Sequence, residues 1–420
     1  MINKPKSEFS RNVLTLMIGT TIAQAIPIAI SPILTRIYTP EDFGLLSLFI
    51  AITSIFGSIA NGRYELAIML PKKDEDAINI FALGFIITSS ISLILLVLVV
   101  LFNDYFTKLL GNKQISVWLY FIPIAVFFTG LYNILNYFNN RKKQYKDLAK
   151  ATIIKSIVTA IVQLSVGFLK SGVTGLIGGQ LISQFFANTK LLKNILKDKV
   201  LLSNISKVKI IALAKRYKDF PKFSMWAVLA NTLSHNLTNI LISSFYSIGT
   251  LGFYSLVQRV LGIPSSLIGN SIGQVFFKEA SKEKQERGNV KNIFKNTIKK
   301  LIFTGLPIFG ILFFIIEDLF AFVFGEEWRI AGIYAKILIP FYAIRFVVSP
   351  ISVLNQVYLK NKLGLKWQLG LLLLQVAIVY TGNMLNINFI YLVYLLSGSA
   401  SMYFIFYLYL INLYVKEGKS

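Results

Sequence analysis

RIYTPEDFGLLSL, Arg36 to Leu48, is echoed by SFYSIGTLGFYSL, Ser244 to Leu256. In this register Tyr38 meets Tyr246, Gly44 meets Gly252, Ser47 meets Ser255 and Leu48 meets Leu256. The offset is 208 residues in a chain of 420. Each copy follows the first long apolar segment of its half. A repeat of this kind, in a chain with many apolar segments, is the sequence mark of a secondary transporter built from two related lobes.

The composition around the repeat agrees. The chain is 55% hydrophobic and 15% charged, with mean hydropathy +0.64. A soluble domain of this size carries about 25% charged residues. The apolar runs reach the ~20 residues that a bilayer crossing needs. There is no cysteine, which excludes disulfides, thiolate metal sites and a catalytic thiol. One histidine and 19 acidic residues leave no evident metal site. The net charge of +24 is the charge bias of cytoplasmic loops rather than a nucleic-acid footprint. Ala23-Gln24-Ala25 mimics a signal cleavage site, but the apolar stretch runs on to Leu34, so a span is expected there.

Twelve spans are expected, at 12–34, 45–70, 77–102, 117–138, 151–169, 174–192, 224–246, 250–276, 301–325, 333–359, 367–385 and 390–415. The second and eighth each hold polar residues. This division puts 34 Lys and Arg residues in segments on one side and 5 on the other, so both termini are expected in the cytoplasm. Each half then crosses six times from the same side. The fold expected is an all-α polytopic membrane protein, about twelve helices in two six-helix lobes related by a pseudo-twofold axis along the membrane normal. The lobes are 1–192 and 224–420, joined by a basic linker at 193–223. That linker mixes Leu, Ile and Val with Lys, which suits a helix on an anionic membrane surface or a solvated connection equally well. A weaker echo pairs Ile122-Pro123 and Leu135-Asn136 with Ile339-Pro340 and Leu354-Asn355.

Charge inside a span is costly, so each intramembrane cation is a candidate functional residue. Arg345 falls near the middle of span ten and Arg259 within span eight, too deep to reach water without a cavity. Arg63 lies in span two, nearer the cytoplasm. Glu65 is two residues away, which on a continuous helix points elsewhere. Lys155 and Lys336 sit about one turn into their spans, where snorkelling is the simpler account. His235, near the middle of span seven, could titrate or hydrogen-bond a neighbouring helix. Arginines unmatched by carboxylates suit an anionic ligand, because the guanidinium fork grips phosphate or carboxylate and stays charged. The substrate-binding candidates are therefore Arg345, Arg259, Arg63 and Lys155. His235 is the pointer to proton or sodium coupling; no other cofactor is expected. Catalysis is not expected, since paired carboxylates near a sizeable exposed loop are missing.

RYELAIMLPKKDEDA (Arg63 to Ala77), YTPEDFG (Tyr38 to Gly44) and YSLVQRVLGIPSSLIGNSIGQVFFKEAS (Tyr254 to Ser281) resemble the signature stretches of bacterial polysaccharide-biosynthesis flippases. These are the Wzx-type translocases of O-antigen or capsule repeat units, within the multidrug/oligosaccharidyl-lipid/polysaccharide exporter superfamily. The resemblance spans the chain in length, span number and two-lobe plan. It implies transfer of undecaprenyl-pyrophosphate-linked glycan from the cytoplasmic to the periplasmic leaflet of the inner membrane. It also implies a cationic cavity between lobes that rock. Membrane lipids, a polysaccharide polymerase and a chain-length regulator are the other candidate partners. Arg63 and Arg259 lie inside the matched stretches; Arg345, His235 and Lys155 do not. A multidrug exporter of the same superfamily is the alternative, and would want buried carboxylates. A membrane glycan polymerase or transferase is the more distant one.

Overall fold

With no water in hydrocarbon, an apolar segment satisfies its own backbone by coiling into a helix. The computed structural model describes residues 8–358 and 360–417, and the described residues are overwhelmingly helical. Nine of their helices are long and apolar enough to cross a membrane, so this is a multi-pass membrane protein. The chain divides into two compact units, Met1–Asn236 and Leu237–Ser420.

The first unit contains α1 (Glu8–Ile37), α2 (Pro40–Gly57), α3 (Tyr64–Ala67), α4 (Asp74–Leu109), α5 (Ile115–Leu119) and α6 (Ile122–Arg141). It continues through α7 (Tyr145–Phe168), α8 (Thr174–Leu196), α9 (Lys199–Ser203) and α10 (Lys207–Arg216). The unit boundary falls within α11 (Met225–Phe245). The second unit holds α12 (Ile248–Pro264), α13 (Asn270–Arg287), α14 (Lys291–Phe324) and α15 (Arg329–Ile351). It ends with α16 (Leu354–Val357), α17 (Asn361–Met384) and α18 (Phe389–Glu417). Among the described residues each expected span falls largely on helix. The three outside the nine are α8, α11 and α12. Polar residues dilute the first two, and α12 has 17 residues.

The repeat is visible in three dimensions as a pair of helix caps. Thr39 caps α2: its hydroxyl accepts from the Asp42 amide at 3.3 Å, and the Thr39 amide donates to the Asp42 carboxylate at 3.1 Å. This is a capping box, which satisfies two otherwise orphaned amides. At the same 208-residue offset Ser247 caps α12, its hydroxyl accepting from the Thr250 amide at 3.0 Å. The repeat tyrosines just before the caps are also placed alike. Tyr38 donates to the Gln163 carbonyl at 2.6 Å and crowds Gly175, where a Cβ would lie 2.0 Å from its hydroxyl. Tyr246 presses on Gly382, where a Cβ would lie 3.0 Å from its hydroxyl.

Both helices then break at matching places. The expectation of one helix over 45–70 is corrected: α2 stops at Gly57, and Gly62 and Arg63 turn left-handed at φ 57° and 66°. An arginine in that region carries a backbone cost that glycine escapes. The helix expected over 250–276 is likewise interrupted, by Pro264 and a π-helical turn at Ser265–Gly269. Proline offers no amide to the preceding turn, so the ladder must re-form with a wider ring.

The linker is neither a free connection nor a detached surface helix. Asn79 on α4 grips it from both sides, donating to the Asn204 carbonyl at 2.9 Å and accepting from the Ser206 amide at 2.8 Å. Tyr64 donates to the Ala214 carbonyl at 3.0 Å. Leu201 and Leu213 are buried in one core with Ala67, Ile68 and Ile78. The other face of α10 leaves Val208 and Ile211 exposed.

Candidate functional site

The cations singled out by the sequence divide into those the chain neutralises and those it does not. Arg63 belongs to the first group. The left-handed turn at Arg63 swings its side chain onto Glu65, Nη1 to Oε1 at 2.9 Å. The sequence reading, which kept the two apart, assumed a helix that is not there. Glu65 is buried, and its second carboxylate oxygen and the Arg63 Nε have no hydrogen-bond partner. The stretch that follows is tied down by Arg141, which donates to the Asp74 carboxylate at 2.8 Å and to the Ile68 carbonyl at 3.1 Å. Lys336 is also paired, 3.8 Å from Glu317.

Lys155, Arg259 and Arg345 make no ion pair with any described residue. Lys155 projects from α7 into a cavity of about 230 Å³ within the first unit. Thr53, Thr129, Gln180 and Gln184 line the same cavity, with Phe49 and Phe128. The Thr53 hydroxyl is buried without a partner, and Tyr132 lies under the ammonium with its ring centre 5.7 Å away. The polar wall could have been found from sequence. Gln180 and Gln184 are one turn apart on α8, in a span otherwise suited to hydrocarbon.

In the second unit Arg345 sits among tyrosines. Its guanidinium lies 5.7 Å from the Tyr342 ring centre and interacts electrostatically with Tyr254 across the α12–α15 packing. Gln258 lies one turn along α12 from Tyr254. Both tyrosines are buried. A guanidinium over aromatic faces is held in place while its outward N–H groups remain available. Arg259 is the next residue after Gln258 and is exposed, so it points away from the Tyr254 face. The tyrosines escaped the sequence reading because twenty tyrosines gave no reason to choose these two. His235 is exposed on α11, one residue beyond the buried Ser234. No cluster of His, Asp and Glu among the described residues could hold a metal ion.

Comparison with known proteins adds three findings. A family model described as polysaccharide biosynthesis protein matches residues 33–331. A solved structure of a multidrug resistance MATE family transporter of the MOP superfamily, inward-facing, superimposes with TM-score 0.74 at 11% identity, covering 96% of this chain and 98% of that one. The lipid II flippase MurJ, in an inward closed conformation, superimposes with TM-score 0.72 at 15% identity, covering 94% and 87%. No curated protein matches the sequence. At these identities the two structures establish the fold.

Proposed function

The chain belongs to the polysaccharide biosynthesis protein family, and from that premise we propose that it is a flippase for lipid-linked oligosaccharides. It moves undecaprenyl-pyrophosphate-linked repeat units from the cytoplasmic to the periplasmic leaflet of a bacterial inner membrane, with both of its own termini in the cytoplasm. It does so by alternating access and without covalent chemistry. The glycans serve a surface polysaccharide such as O-antigen or capsule, made with a polymerase and a chain-length regulator.

The observation that carries this reading is that Lys155, Arg259 and Arg345, in helices read as spans, make no ion pair with any described residue. A charge so placed is costly unless something neutralises it. A pyrophosphate, or an acidic sugar, supplies the missing anion, and Arg345 and Arg259 offer the bidentate fork that phosphate accepts. Arg63 is held by Glu65 and contributes only when that pair opens. Lys155, among hydroxyls and amides, suits a sugar ring and its substituents. His235 remains the candidate for coupling transfer to a proton or sodium gradient. An exporter of cationic drugs would need the opposite lining, with carboxylates exposed to the ligand.

The test is glycan display in a strain carrying the protein as its one repeat-unit translocase. Arg345→Ala and Arg259→Ala should abolish display while the protein still inserts, and lipid-linked repeat units should accumulate in the cytoplasmic leaflet. Arg345→Lys should recover less than its retained charge would suggest, because an ammonium cannot bind bidentately. Normal display in both alanine variants sinks the reading.

A further inference from the structure

The second unit carries a groove that the head-group sites do not use. Its floor is one face of α15. Ile333, Lys336, Ile337, Pro340, Ile344 and Val347 follow one another at helical spacing along it. On one side α14 raises a wall with Leu306 and Phe313; on the other α18 raises one with Met402 and Ile405. Two cavities, of about 680 Å³ and 260 Å³, meet at Ile405 and make the groove continuous. The walls are topped by side chains fully open to the surroundings, Leu306 at 72% and Met402 at 74% exposed, as befits a surface facing lipid.

The two ends differ. Around Ile344 and Val347 the lining is apolar. At the other end stand Lys336 and Glu317, 3.8 Å apart and half-exposed, with Ser397 and Ser401 beside them. The Ser401 hydroxyl is buried without a partner. An ion pair opening onto hydrocarbon is costly unless a polar group meets it there. The groove also runs far. From Ile333 to Val348 on α15 is about 22 Å at 1.5 Å per residue. One leaflet offers about 15 Å, half of a ~30 Å hydrocarbon core. A chain filling this groove crosses the midplane, which suits a long isoprenoid better than an acyl chain confined to one leaflet.

We infer that this groove seats the polyisoprenoid tail of the lipid carrier, with Lys336 facing the carrier's phosphate. The inference rests on the proposed transport of lipid-linked glycan and deepens it. On the proposed topology the charged end lies toward the periplasm, so the groove is occupied when the head group has crossed. Glu317 holds the ammonium over the groove while no phosphate is there. Gly398 leaves room beside the seat: a Cβ there meets nothing within 4 Å.

The absence of cysteine makes a direct test available. Gly398→Cys is introduced into the full chain, purified in detergent, and labelled with a maleimide. The probe is undecaprenyl monophosphate, which carries the tail and a phosphate but no sugar. It should slow labelling severalfold, and phosphatidylglycerol at the same concentration should not. Lys336→Gln in the same chain should weaken the protection. A second cysteine at Phe314, which is 80% exposed on α14 and outside the groove, should label at the same rate with or without the probe. Unchanged labelling at Gly398→Cys overturns the inference. Equal protection by phosphatidylglycerol overturns it too, since the groove then holds bulk lipid. Loss of display in Arg345→Ala without protection here removes the groove and keeps the flippase. Protection here with normal display in the arginine variants keeps a carrier-binding groove and removes the head-group reading.

Discussion

Arg63 shows how much one backbone angle decides. On a helix its charge would stand alone; in the left-handed turn it meets Glu65. Removing Arg63 strands Glu65, which is buried, and that costs on the order of 3 kcal/mol or more. Arg63→Ala should therefore lower the melting temperature of the purified protein clearly, while Arg63→Ala with Glu65→Ala should recover much of the loss. Losses in the two single variants that simply add in the double variant would show that the pair is not coupled. The sequence did disclose Arg63, Arg259, Arg345 and Lys155 as charges needing an explanation, because hydropathy alone exposes an intramembrane cation. It could not disclose their neighbours. Whether Arg63 pairs with Glu65 depends on a turn signalled only by Gly62, and whether Arg345 finds Tyr254 depends on how α12 packs on α15.

The helices carry their own start signals, and these can be tested in parallel. Thr39→Ala removes a side-chain cap from α2, and Ser247→Ala removes one from α12; each should cost about 1 kcal/mol and lower the melting temperature by a similar amount. A loss from one alone would mean that the two caps, though placed alike, do different work. The existence of the helices was legible from apolar runs of spanning length. Their interruptions were not, because glycine and proline are ordinary within membrane helices and mark a break only when packing makes use of it. The docked linker was hidden for a similar reason. KVKIIALAKR can bury its apolar residues on lipid or on protein, and residues far away in sequence, Asn79 on α4 and Tyr64, settle which. Asn79→Ala should loosen α9 and α10, and hydrogen exchange over 199–216 should rise while exchange in α6 and α7 stays slow.

At the scale of the whole molecule the charge bias predicts topology. Single cysteines added at Lys143 and Lys215 should react with an impermeant maleimide from the cytoplasmic side only, and one at Lys113 from the opposite side only. Reaction of Lys113 and Lys143 from the same side would remove a crossing between them and undo the twelve-span arrangement. Two-lobe organisation was readable from a thirteen-residue stretch echoed near half length at Tyr38, Gly44, Ser47 and Leu48, because the echo falls where a capped helix begins in each half.

The paired breaks in α2 and α12 have a consequence of their own. The caps are alike in position, and each hydroxyl accepts from the amide three residues on, though only Thr39 has the bond returned by a carboxylate. The breaks are alike in position only. One half makes its break with two left-handed residues, the other with a proline and a widened turn. A shared start signal sets where these helices begin but not the means by which each is stopped. The two breaks reach one place in the repeat by unlike backbone means, a left-handed turn in one half and a withheld amide in the other.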